Sequence, residues 1–195
     1  MLNACRKRAI RTQRKSFIEK FCAARQIIED VKSLTGEEVI GAGVLLCNAG
    51  YNYAAWVVSY DEGDFYLDAD KSCKKAIFET TKLGIIYCSE GIKVFRDTYD
   101  TDDLVKLIPN YTQKMKIVND ANKSVIAYEK EKNNIVDCVG FYYDIRKIYD
   151  EFMVCKPELQ KSRRKSRNNL AISISVAVAA VAGAVVAIVG LFVGK

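Results

Sequence analysis

The sequence predicts an α+β domain, a small antiparallel sheet with flanking helices, followed by one C-terminal transmembrane helix. Three observations predict it. Short β-like apolar runs are split by turn residues between Val39 and Phe95, helical periodicity lies on either side of them, and 24 residues without a charge lie towards the end of the chain. The organisation that follows is a basic amphipathic helix over 1–35, the α+β domain over 36–156, a basic linker over 157–169 and an anchor over 170–193.

Over residues 6–34, Ile10, Phe17, Phe21, Ala24, Ile28 and Val31 recur at helical spacings, with Arg and Lys on the other faces. Such a helix can pack on the domain, lie on anionic lipid or act as a targeting sequence. Glu19, Glu29 and Asp30 weigh against the last. The first 25 residues contain no apolar core of a signal peptide. The predicted strands are Val44 to Cys47, Ala54 to Tyr60, Phe65 to Leu67, Ile85 to Cys88 and Ile92 to Phe95, with turns at Asn48 to Gly50, Asp61 to Asp64 and Ser89 to Gly91. Pro109 and Asn110 break the chain, and a second helix is predicted over Asp137 to Phe152, where Cys138, Phe141, Ile145, Ile148 and Phe152 share a face.

From Leu170 to Val193 no residue is charged, and Lys161, Arg163, Arg164, Lys165 and Arg167 precede the stretch. A helix of that length reaches roughly 36 Å, enough to span a bilayer with some tilt. The basic residues would then stay on the cytosolic side and face the membrane surface, giving a single-pass protein with its domain in the cytosol. Gly190 and Gly194 form a GxxxG pair, continued by Ala179, Gly183 and Ala187, so a homodimer through the anchor is one expectation.

Charge is distributed unevenly. Residues 1–32 net +6, residues 33–160 net −6 and residues 161–195 net +6. Basic ends around an acidic middle, with no aromatic residues interleaved in a basic stripe, argue against nucleic acid and for membrane lipids as partners. The chain has no His, which removes His-based general bases, Cys-His dyads and His-ligated metals. Seven cysteines without a CxxC pair read as thiols rather than disulfides or a zinc site, and no phosphate-cradling glycine loop is present. No cofactor is expected.

Two segments carry a resemblance. Gly43, Val44, Leu45 and Leu46 are followed by Ala55, Trp56, Val57, Val58 and Ser59, a turn and the run Phe65 to Leu67; further on come Asp137, Cys138, Val139, Gly140 and Phe141, with Arg146 five residues past the Phe. Taken with the tail, this order resembles the lecithin:retinol acyltransferase-like family of thiol phospholipases and acyltransferases, which share a permuted papain-like fold. The resemblance implies Cys138 as nucleophile, and places Ala55 where the family has its catalytic His and Leu67 or Asp68 where it has the residue that orients that His. Alanine accepts no proton, so three functions follow: a degenerate enzyme that binds lipid or protein, an active thiol phospholipase or acyltransferase using Cys138, or an adaptor unrelated to that family. An all-helical domain would favour the last, because the other two require the sheet.

Overall fold

A computed structural model describes residues 2–59, 63–130 and 138–165. Every element among them is a helix: α1 (Leu2–Thr35), α2 (Ile40–Ser59), α3 (Gly63–Thr98), the short α4 (Thr101–Leu107), α5 (Tyr111–Lys130) and α6 (139–165). Side-chain contacts give their directions. The Tyr66 hydroxyl donates to the Gln13 carbonyl at 3.4 Å, Lys20 pairs with Asp70, and Gly84 lies against Val31, so α1 and α3 run parallel. Between them α2 runs the other way, with Tyr53 stacked on Phe17 at 4.1 Å between centroids and Gly50 against Phe21. Tyr142 and Tyr149 meet Gly84 and Gly91, which sets α6 parallel to α3. Lys114 pairs with Glu151 and Tyr111 packs near Phe152, which sets α5 antiparallel to α6.

The spine is α3, whose 36 residues extend about 54 Å. Its first half closes a three-helix bundle with α1 and α2 around Phe17, Ala49, Ala69 and Cys73. Its second half joins the end of α1 with α4, α5 and α6 around a larger core that includes Val31, Ile85, Ile92, Leu104, Ile145 and Phe152. Turn chemistry sits where the helices break. Gly36 takes φ +73° and its N–H donates to the Lys32 carbonyl at 2.8 Å, ending α1 with a left-handed cap. Asn110, at φ 56°, follows Pro109 and opens α5.

The predicted antiparallel sheet, and with it the α+β and papain-like class, is therefore corrected: no strand occurs among the described residues. Val44 to Cys47 and Ala54 to Ser59 belong to α2, and the runs beginning at Phe65, Ile85 and Ile92 belong to α3. The physical reason lies in the inner row of α3. Positions 69, 73, 76, 80, 84, 88, 92 and 95 are all buried and recur every three or four residues. The first six are Ala69, Cys73, Ala76, Thr80, Gly84 and Cys88, so the helical frame is carried by small residues while the large apolar ones fall into strand-like clumps. The turn predicted at Ser89 to Gly91 lies inside this frame, and Gly91 is there to admit a ring rather than to reverse the chain.

The expectation of a single-pass membrane protein with a cytosolic domain is corrected as well: among the described residues no helix is long and apolar enough to cross a membrane. Among the described residues the one uncharged helix, α2, is interrupted by Asn48 and Asn52. The span on which the expectation rested, with Leu170, Gly183, Gly190 and Val193, lies outside the described residues, as does Arg167.

A polar clamp ties α1 to α3. Asp70 accepts from Lys20 and lies 2.7 Å from Lys74. Burial alone would push its carboxyl up, but the hydrogen bonds from Lys20 and Lys74 outweigh that and hold it below its ordinary 3.8. The stability that a lowered carboxylate confers is fully present above that ordinary value and is lost as pH falls through the lowered one. Asp70→Asn should accordingly reduce Tm near neutral pH, and the gap to wild type should narrow as thermal melts are carried towards about pH 2.

Candidate functional site

Cys138 stands immediately before α6, where its carbonyl accepts the Tyr142 N–H at 3.0 Å and starts the helix. Its thiol is turned inward and is 0% exposed, part of the larger core with Ile85 and Tyr142. Ala55 lies on α2, beside Trp56, whose ring packs against Tyr53 at 5.7 Å and Tyr66 at 5.1 Å between centroids. These residues belong to the α1–α2–α3 bundle, and Cys138 to the α3–α6 core. The fold does not bring the two positions into one site. Leu67 and Asp68 are exposed on α3, and Arg146 is occupied by Asp150 at 2.9 Å. Arg163, Arg164 and Lys165 are exposed at the end of α6. Asp137 lies outside the described residues.

The other buried thiols are equally unsuited to attack. Burial pushes Cys73 up to about 11 and Cys88 up to about 12, and the same cause raises Cys155. Only the thiolate is an effective nucleophile, so these groups act as small apolar packing residues. Among the described residues no three His, Cys, Asp or Glu side chains are placed to hold a metal ion.

What the sequence reading missed is on α2. This helix carries no charge, and two apolar rows run along it. Ala42, Leu46, Ala49, Tyr53 and Trp56 recur at spacings of four and three and face α1 and α3. Ile40, Val44, Cys47, Tyr51, Ala54 and Val58 repeat the same spacing from two residues earlier, which places them about 200° around the helix. All six are exposed, with Ile40 and Tyr51 at 74% and Val58 at 80%. The outer row continues into a groove where α2 meets Leu83 and Ile86 of α3. A helix that is apolar on all sides is ordinarily covered on all sides. The signal was present as two interleaved heptad rows, but the Asn and Gly residues between them read as turns.

A second groove, between α5 and α6, is lined by Ile108, Pro109, Tyr143 and Val154, with the Lys114–Glu151 and Arg146–Asp150 pairs along it. Those two pairs match charges within the chain, with Lys147 beside them, whereas α2 itself carries no charge and its adjoining groove adds Lys75, Glu79 and Lys82 of α3. No protein-family model, curated protein or solved structure matches the chain.

Proposed function

We propose that this chain is a non-catalytic helical adaptor that works by pairing the outer row of α2 with another protein. The carrying observation is that row: six exposed apolar positions in heptad register on an uncharged helix whose opposite face is fixed to α1 and α3. Coiled-coil-like pairing needs this spacing, and a rigid backing helix lowers the ordering cost of binding. A bilayer surface is the competing occupant: α2 itself carries no Lys or Arg, and the lysines of the adjoining groove, Lys75 and Lys82, are accompanied there by Glu79. Catalysis through Cys138 finds no support in the geometry, since the thiol is enclosed in the core.

A photo-reactive benzophenone residue at position 51, in the full chain expressed in cells, tests the reading. Discrete protein adducts are expected there, and none from the same probe at exposed Arg25 on α1. Adducts to lipid alone, or none, would overturn it. Incubation with a short-chain phosphatidylcholine should leave no acyl group on Cys138, by intact mass against Cys138→Ala; an adduct confined to that thiol would also overturn it.

A further inference from the structure

The geometry points to a second copy of this chain as the occupant of the α2 face, paired antiparallel about position 49; this rests on the adaptor reading and names its partner. In that register Ile40 meets Val58 of the other copy, Val44 meets Ala54, and Cys47 meets Tyr51. Each layer sets a larger side chain against a smaller or equal one, which is how facing helices interdigitate. Parallel pairing would instead set Tyr51 on Tyr51 and leave Ala54 on Ala54.

Charge supports self-pairing. Foreign partners in heptad pairing are selected by charges flanking the seam. α2 itself offers Gly41, Asn48 and Ser59 along its flanks, so the seam sets no like charges against each other; Lys75, Glu79 and Lys82 of α3 line the groove beside it and are of both signs. Size is adequate for a reversible contact. The row extends about 27 Å, and two such faces with Leu83 and Ile86 beside them approach the lower end of stable interfaces, on the order of 1,000 Å².

The chain's own apolar 170–193 segment is the competing occupant: it follows the far end of α6, and a chain with that segment seated on α2 would sediment as a monomer. α6 runs parallel to α3 with Tyr142 level with Gly84, so residue 165 lies about 30 Å beyond the groove at Ile86.

Sedimentation of the full chain across a concentration range tests the proposal. Wild type should form a dimer by about 100 µM, the micromolar strength suited to an interface of this size. Tyr51→Glu should be monomeric with an unchanged thermal midpoint, and Val154→Glu, at a position 77% exposed on α6, should remain dimeric. With light and heavy chains mixed, the benzophenone at position 51 should label residues around Cys47 of the other copy. A monomeric wild type, association that survives Tyr51→Glu but is lost in Gly190→Leu, or labelling centred on position 51 itself would overturn the proposal. Benzophenone adducts to a different protein would overturn the self-pairing and leave the adaptor reading standing.

Discussion

Phe152→Ala is expected to lower the unfolding free energy by about 3–5 kcal/mol. Phe152 is fully buried where α6 crosses the ends of α3, α4 and α5. Its ring meets Phe95 of α3 edge-on at 5.7 Å and Tyr111 of α5 at 6.2 Å, so two connections between helices depend on one side chain. The neighbouring helices are held by their own contacts and cannot collapse into the vacated volume, so the cavity cost adds to the lost transfer free energy. Urea titration measures the loss. A change below about 1 kcal/mol would mean that α6 does not dock there.

Gly84→Ala and Gly91→Ala should each destabilise the protein by about 1–2 kcal/mol, a reversal of the ordinary sign. In a helix interior, alanine in place of glycine normally gains up to about 1 kcal/mol. At these two positions, seven apart on α3, a methyl group would be driven into the rings of Tyr142 and Tyr149, themselves seven apart on α6. For Gly84 the added carbon would also lie 3.1 Å from Val31 of α1. Overpacking of this kind costs about 1–3 kcal/mol, which exceeds the propensity gain. Gly43 on α2 is the internal control, because nothing lies within 4 Å of the added carbon there and the same substitution should stabilise. Thermal melts of the three variants decide the matter, and a raised Tm for Gly84→Ala would contradict the close approach of α3 and α6.

These glycines also explain which parts of the fold were legible in the sequence. Over 6–34 and 137–152 the large apolar residues themselves mark the helical period, and α1 and α6 bury residues from those rows, with Ile27 rather than Ile28 facing inward. Over 39–95 the period passes through Ala69, Ala76, Thr80, Gly84 and Cys88, which carry little hydropathy, while Trp56, Val57, Val58 and Tyr87 carry β propensity. Propensity lost to tertiary context: α2 is held from one side by two helices, and α3 is a spine gripped along its length. Thr80 and Thr81, poor residues for a helix interior, are accommodated because their hydroxyls donate to the carbonyls of Ala76 and Ile77 at 2.8 and 2.9 Å.

The candidate site was misread for a related reason. Cys138 was singled out for the residues around it, yet its place in the fold is decided by the helix it starts, which turns the thiol into the core beside Tyr142. Of the apolar residues in the first family-like segment, Val44 and Val58 lie in the exposed outer row of α2, whereas Leu46 and Trp56 belong to its inner row and pack on the bundle. Only the three-dimensional frame separates the inner row of α2 from the outer one.

Alkylation of the native protein, followed by peptide mapping, tests the central claim most directly. Cys22 is exposed on α1 and serves as the reference, whereas Cys73, Cys88 and Cys138 are fully buried. A helical core that encloses Cys138 predicts modification of that thiol at least about a thousandfold more slowly than Cys22, the rates converging in denaturant. Modification of Cys138 as fast as Cys22 in the folded protein would place the thiol at the surface, and would contradict both the packing of α6 and the non-catalytic reading built on it.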